Sequence, residues 1–295
     1  MSRRSAWLAS AALLAALLAP QSALAYCRTM ACSNDKPELA CSRDASGCLV
    51  NDRPLYWPTS CVSFGVQEDG SSSDHISYDK MRDVVDTAFQ TWISADCGDY
   101  LPNIAVENYG PIACDEREYN SDQPNANVFM FRDADWPYEN QEDTLALTTI
   151  TFNVDTGEIY DADVEVNSFD YNLTVGDDNV DADLPSIITH EVGHFLGLSH
   201  SDVRSATMRP GYHPGDIGLR TLDADDVAGI CALYGPEATE RPADCEPRHG
   251  FSRECATAET GCCAVHGTKP SGRGPLALLL VGVGVIALRR RRLSR

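Results

Sequence analysis

Residues 190–200, HEVGHFLGLSH, place histidine and glutamate at a spacing that suits a metal site. Residues four apart share one face of a helix, so His190 and His194 can present two imidazoles to one Zn²⁺. Glu191 lies one step round the helix, where a general base for a zinc-activated water would stand. This stretch predicts a helix that carries a metal site.

The residues after this helix predict a third ligand. Gly197 has no Cβ and permits the sharp turn that would bring His200 back to the metal. Three protein ligands leave one coordination position for water, which is typical of catalytic zinc. By composition alone, the full pattern arises by chance in on the order of 10⁻⁵ chains of this length. Two alternatives stay open: histidines on a helix surface, and a structural or vestigial zinc site without a working cleft.

The composition indicates an acidic, folded chain from an oxidising compartment. The 295 residues contain 23 Lys+Arg and 44 Asp+Glu, a formal net charge of −21, so we expect no nucleic-acid partner. A hydrophobic content of 43% suits a globular domain. The 12 cysteines do not form paired CxxC knuckles and therefore indicate disulfides.

Both ends of the chain carry export features. Arg3 and Arg4 precede an apolar run, and residues 23–25 offer a small-residue cleavage site, so residues 1–25 are predicted to be a removed signal peptide. An N-terminal membrane anchor is the alternative. A second apolar run, 276–288, is followed by four arginines. Residues 271–295 are therefore predicted to be a membrane or sorting tail with a cytoplasmic end.

Hydrophobic periodicity predicts the elements between these ends. Apolar residues recur at three- and four-residue steps over 78–93, which indicates an amphipathic helix. Asp183 and Asp223 are predicted to cap two further helices, over 186–197 and 223–234. Strands are predicted at 61–66, 104–107, 127–131, 145–153 and 159–167. Residues 49–236 thus form one α+β domain. A Cys-rich leader (26–48) precedes it, and a Cys-rich linker (237–270) with small disulfide loops follows it.

The residues downstream of the histidine motif extend it into a family pattern. The motif, followed by Ala206-Thr207-Met208 and Pro210-Gly211-Tyr212, resembles the metzincin zinc peptidases and, among them, the matrixins. Residues 222–235 also resemble the matrixin C-terminal helix. The resemblance covers about residues 54–236 and is strongest from residue 184 onward.

This resemblance implies a metzincin-like zincin domain with a twisted, mixed five-stranded sheet, an active-site helix and a C-terminal helix. It implies that Met208 supports the ligands from beneath, in a Met-turn. It also implies that Pro210, Gly211 and Tyr212 form the wall of a substrate pocket. Residues 145–152 would be the antiparallel edge strand that lines the cleft and pairs with an extended protein or peptide substrate. An ordinary core strand is the alternative.

The chain departs from the matrixin pattern in its other sites. The cysteine-switch propeptide motif is absent, so latency by a thiolate on zinc is not expected. No histidine occurs between His75 and His190, so the second, structural zinc of animal matrixins lacks its histidine ligands. Acidic clusters at 155–163 and 177–183 could bind Ca²⁺ or form a solvated acidic surface.

The C-terminal tail carries a second resemblance. Gly261-Cys262-Cys263, the apolar run and the arginine cluster resemble a MYXO-CTERM-type sorting tail. This implies transport to the cell envelope, followed by anchoring or by processing and release. A plain membrane anchor is the alternative.

These observations predict a secreted or surface-attached zinc-dependent endopeptidase, expected to be a monomer. His190, His194 and His200 would hold Zn²⁺, and Glu191 would act as general base. The competing hypothesis is a non-catalytic, zinc-containing surface adhesion or binding module. Its acidic surface would be the partner site, and the leader or the Asp-rich loops would block its cleft.

Overall fold

The structure is a computed structural model that describes residues 25–33, 36–138, 143–236, 244–256, 281–282 and 287–288. Except for Ala25, the predicted signal peptide lies outside these residues. In chain order the elements are β1 (Cys27–Arg28), β2 (Ser42–Arg43), β3 (Leu49–Val50), β4 (Cys61–Gln67), α1 (Tyr78–Ile93), β5 (Ala105–Ile112), β6 (Val128–Phe131), β7 (Ala146–Phe152), β8 (Ile159–Val166), β9 (Leu173–Thr174), β10 (Ala182–Asp183), α2 (Leu184–Phe195), β11 (Leu198–Ser199), β12 (Gly211–Tyr212), α3 (Ala224–Leu233), β13 (Val281–Gly282) and β14 (Ala287–Leu288). Two 3₁₀ turns are Pro37–Leu39 and Gly218–Arg220.

A mixed sheet of five long strands organises the α+β fold. Its spatial order is β7-β8-β6-β4-β5, and all neighbours are parallel except β7, which runs antiparallel to β8. The sequence prediction of a mixed five-stranded sheet is confirmed. Among these five strands β7 lies at the antiparallel edge, and the two-residue strand β13 pairs with its outer side. Gly157, in the turn of the β7–β8 hairpin, has φ +83°, which explains the glycine there.

Side-chain caps fix where the three helices begin. The Ser77 hydroxyl accepts a backbone N–H from the first turn of α1, and the Asp183 carboxylate does the same at α2. Asp223 and Asp226 form a reciprocal capping box at α3. The predicted caps Asp183 and Asp223 are therefore confirmed. The cap of α2 sets the register that places residues 190 and 194 on one face.

Two tryptophans attach α2 to the rest of the core. The Trp92 indole donates to the Thr189 carbonyl at 2.7 Å, and the Trp57 indole donates to the Phe195 carbonyl at 2.8 Å. The Phe195 ring packs edge-on against Phe89 of α1 with 5.1 Å between centroids. Because both indoles combine apolar burial with a satisfied N–H, they hold this helix firmly against α1 and the sheet.

The leader is part of the folded domain. Its cysteines form the disulfides Cys27–Cys48 and Cys32–Cys41, which confirms the prediction that these cysteines are oxidised. The leader has no apolar period that would predict a contribution to a core, yet Ala31 and Leu39 are fully buried in the main hydrophobic cluster. Strand β1 pairs antiparallel with β11, directly before the third histidine. These two apolar residues anchor the leader to the core, but two isolated residues form no periodic pattern in the sequence.

The prediction of small disulfide loops within the linker is wrong for its two described cysteines. Cys245 pairs with Cys61 of β4, and Cys255 pairs with Cys114, so both bonds tie the linker to the main domain. A further bond, Cys97–Cys231, joins the end of α1 to α3. Cys262 and Cys263 lie outside the described residues.

Most of the C-terminal tail lies outside the described residues. Within it, β13 pairs antiparallel with the edge strand β7, and β14 pairs parallel with β12. The edge of the sheet can therefore accept an added extended segment. Among the residues described, no helix is long and apolar enough to span a bilayer.

Candidate metal centre and active site

Three histidines meet at the end of α2. Their ring centroids lie 4.7–5.2 Å apart, and one ring nitrogen of each lies within 4.8 Å of the others. His190 and His194 come from adjacent turns of α2, and His200 follows β11. Gly197 makes the predicted turn with φ +99°, a conformation that favours glycine. A Cβ at this position would also lie only 3.1 Å from the Leu55 carbonyl oxygen. His190, His194 and His200 thus form a possible metal-binding site.

Backbone carbonyls orient two of the rings. Nδ1 of His190 lies 2.7 Å from the Thr207 carbonyl oxygen, and Nδ1 of His194 lies 2.9 Å from that of Leu198. A carbonyl only accepts, so we assign the proton of each ring to Nδ1, which leaves a lone pair on each Nε2. These two Nε2 atoms are 3.0 Å apart, and Nε2 of His200 is buried without a hydrogen-bond partner in the described structure. Three converging lone pairs fit a cation, and imidazole donors suit zinc.

The surroundings keep all three imidazoles neutral, which is the form that binds metal. Burial, reinforced by the neighbouring imidazoles, lowers the pKa of His190 well below its ordinary value. Burial also lowers the pKa of His194 to about 3 and that of His200 to about 4. The cluster therefore does not compete with protons for its ligand lone pairs near neutral pH.

Glu191 lies next to the cluster and is fully buried. Its Oε2 accepts a hydrogen bond of 2.6 Å from the Thr148 hydroxyl, whereas its Oε1 is buried without a partner in the described structure. Burial raises the pKa of Glu191 to about 8, and the bonds from Thr148 act in the opposite direction. Thr148 was not predicted as a site residue, since one threonine among alternating strand residues carries no spacing signal.

Met208 lies against the Gly193 face of α2. A Cβ on Gly193 would meet the Met208 sulfur well inside van der Waals contact and would lie 2.8 Å from Trp92 Cζ2. The carboxylate of Asp226 accepts from the backbone N–H groups of Thr207, at 2.7 Å, and Met208, at 3.0 Å. The turn that carries Met208 is thereby tied to α3, and its Thr207 carbonyl is held against His190.

The predicted pocket wall lines a depression of about 560 Å³. Pro210 is exposed and Gly211 half-buried, whereas Tyr212 is 1% exposed. The Tyr212 hydroxyl accepts from the Asp183 N–H at 2.8 Å, and burial raises the pKa of this phenol to about 12. The tyrosine thus links β12 to the start of the histidine helix.

The leader borders the histidine cluster on another side. A depression of about 190 Å³ is lined by His200 together with Arg43, Ser46 and Gly47 of the leader. All four leader cysteines are in disulfides. None of them offers a free thiolate to a metal, in line with the missing cysteine-switch motif.

The two acidic clusters are largely engaged by the protein itself. Arg220 binds both Asp177 and Asp183 at 2.6 Å, and Lys36 binds Asp155 at 2.8 Å. Asp161 and Asp163 are buried on the same face of β8, and burial raises the pKa of both carboxyls. Calcium binding at these segments stays a prediction.

Comparison with known proteins agrees with this geometry. Residues 115–235 match the peptidase M10 family, matrixin. The chain contains a matrixin-like domain. Over 61 residues it is 49% identical to metalloendoproteinase 1-MMP of Arabidopsis thaliana, which is 21% of this chain and 16% of that protein. Over 91 residues it is 35% identical to metalloendoproteinase 4-MMP of the same plant, 31% of this chain and 26% of that protein.

The matrixin-like domain is also similar to human matrilysin, with 45% identity over 53 residues, 18% of this chain and 20% of matrilysin. The alignments therefore span about a quarter or less of these relatives. The matched segment of the domain contains the three histidines, Glu191 and the strand that carries Thr148. The leader lies outside it.

Proposed function

We propose that the protein is a zinc-dependent endopeptidase that hydrolyses peptide bonds at the histidine cluster. The observation that carries the proposal is the convergence of three neutral imidazole nitrogens beside a buried carboxylate with one unpartnered oxygen. His190, His194 and His200 would hold the ion. When bound, zinc supplies Lewis-acid polarisation of the scissile carbonyl and lowers the pKa of the attacking water.

Glu191 performs the proton transfers in this proposal. It takes one proton from the attacking water as the water oxygen bonds to the carbonyl carbon. It then delivers that proton to the amide nitrogen as the C–N bond breaks, so the products are a carboxylic acid and an amine. Burial suits this residue to the task, because a carboxylate with a raised pKa is a stronger base than an exposed one.

The substrate would be an extended protein or peptide chain. Strand β7 lies beside the cluster, and its outer side, on which β13 pairs at Thr149 and Ile150, would accept an extended chain by main-chain hydrogen bonds. Pro210, Gly211 and Tyr212 would wall the pocket that receives a substrate side chain. Met208 would support the ligands from beneath without touching substrate.

The proposal places the enzyme outside the cytosol as a monomer. Five disulfides among the described cysteines and the signal-peptide features of residues 1–25 support export. Residues 271–295 would associate with the membrane through a MYXO-CTERM-type tail before processing. Calcium would be an accessory ion at an acidic segment.

The test compares wild type with Glu191→Gln on a casein or gelatin substrate. The glutamine variant should keep zinc and the fold but lose most of its turnover, since it removes the base and leaves the ligands. Glu68→Gln makes the same change on an exposed carboxylate and should leave activity unaltered. Full activity of Glu191→Gln would refute the assigned base.

Chelation separates this proposal from a zinc-containing binding module. Wild-type activity should disappear with a chelator and return with added zinc. Absence of hydrolysis at full zinc occupancy, across a diverse peptide library, would instead favour the non-catalytic module.

A further inference from the structure

The edge strand reaches into the site through one buried side chain. Thr148 is 0% exposed, and its hydroxyl lies 2.6 Å from Oε2 of Glu191 and 3.3 Å from the backbone oxygen of the same residue. The shorter contact has the length typical of a hydroxyl bound to a carboxylate, so we assign the proton to it. Its neighbour Thr149 follows the alternation of the strand and lies near Arg117, away from Glu191.

This contact distinguishes the two oxygens of the carboxylate. Oε2 is held by Thr148, and Oε1 is buried with no partner in the described structure. The terminal torsion of a glutamate is broad, so packing alone defines its carboxylate plane weakly. A threonine side chain is stiff at χ1, so a hydrogen bond from its hydroxyl holds the carboxylate in one orientation.

We propose that Thr148 is a positioning residue for the general base. It holds Oε2 so that Oε1 alone faces the reacting atoms, takes the proton from water and returns it to the leaving nitrogen. This inference rests on the proposed peptidase function. Because Thr148 belongs to the strand that would pair with substrate, the same element that aligns the peptide also aligns the base.

The experiment compares Thr148→Val, which is nearly isosteric but has no hydroxyl, with Thr148→Ser, which keeps it. In the zinc-loaded full chain, the valine variant should lower kcat about 10-fold to 100-fold, the range expected for one hydrogen bond to a charged group. KM should change less than about twofold, since peptide binding does not use this hydroxyl. The serine variant should stay within about threefold of the wild-type kcat.

Two controls separate positioning from a structural role. Thr87→Val removes an exposed hydroxyl that bonds only within α1, to the Asp83 carbonyl, and should leave kcat unchanged. In a Glu191→Gln background, Thr148→Val should cost no further activity, because a residue that acts through Glu191 has nothing left to position. If Thr148→Val does not fold, Thr148→Ala replaces it in every comparison.

The inference is overturned by wild-type kcat in Thr148→Val, by an equal loss in Thr148→Ser, or by an additive loss in the Glu191→Gln background. It also falls if wild type shows no zinc-dependent hydrolysis, but then the proposed function fails with it. If wild type is active and Thr148→Val keeps the wild-type kcat, the positioning role alone is refuted.

Discussion

The contact between Gly193 and Met208 allows a quantitative test of how α2 is supported. A methyl group at residue 193 would overlap the Met208 sulfur and would lie 3.0 Å from Met208 Cε and 2.8 Å from Trp92 Cζ2. The indole cannot withdraw freely, because its N–H is bound to the Thr189 carbonyl. Overpacking of a dense core costs about 1–3 kcal/mol, and alanine recovers about 1 kcal/mol of helix propensity. Because the overlap with the Met208 sulfur is severe, the overpacking cost should lie at the upper end of this range, about 3 kcal/mol. Less the gain in helix propensity, Gly193→Ala should lower the free energy of unfolding by about 2 kcal/mol.

The double variant with Met208→Ala isolates the clash. Met208→Ala alone should cost about 2–5 kcal/mol through the cavity it leaves. In combination the new methyl group occupies part of that cavity, so the double variant should be at least about 1 kcal/mol more stable than the sum of the single effects predicts.

Equilibrium urea unfolding at saturating zinc, with disulfides intact, measures all three variants. Gly176→Ala is the control, since its nearest neighbour would lie 3.9 Å from the new Cβ, and it should stay within about 0.5 kcal/mol of wild type. A stable Gly193→Ala variant, or strictly additive losses, would refute the packing account.

Three further predictions concern the stability of the folded protein. Asp226→Ala should lower the free energy of unfolding by about 2–5 kcal/mol in urea, because buried N–H groups of Thr207 and Met208 lose their acceptor; a loss below about 1 kcal/mol would contradict this. Zinc removal should lower the melting temperature, since metal at 1,000 times Kd contributes about 4 kcal/mol; an unchanged temperature would exclude a tight site. Burial opposes ionisation of Asp133, but hydrogen bonds from Ser168, Ser71 and Ser72 outweigh it and hold the pKa of this carboxyl below its ordinary value. Its stabilisation is therefore present above about pH 4 and lost as the pH falls through the folded-state pKa, so the stability advantage over Asp133→Asn should shrink on acidification; a constant difference in urea unfolding between pH 7 and pH 3 would contradict it.

Local sequence signals predicted the parts of the fold that depend on neighbours in the chain. The helix over Tyr78–Ile93 follows from its apolar period, and the starts of α2 and α3 follow from Asp183 and Asp223. The histidine spacing and Gly197 likewise predict the metal cluster, because one helix and one turn bring its three side chains together.

Features that depend on distant parts of the chain were not predictable in this way. The linker cysteines pair with partners 184 and 141 residues away, and nothing in their spacing specifies this. Thr148 meets Glu191 across 43 residues because β7 packs beside α2. Asp226 belongs to the capping box of α3, and only the tertiary structure shows that it also binds the Met208 turn.

The most direct test of the central claim is a crystal structure of the zinc-soaked protein with anomalous data collected on both sides of the zinc edge. We predict one strong peak, within about 2.0–2.1 Å of a ring nitrogen of each of His190, His194 and His200 and with no fourth protein ligand. A peak elsewhere, a peak that excludes His200, or a coordination shell closed by another side chain would contradict the proposed catalytic site.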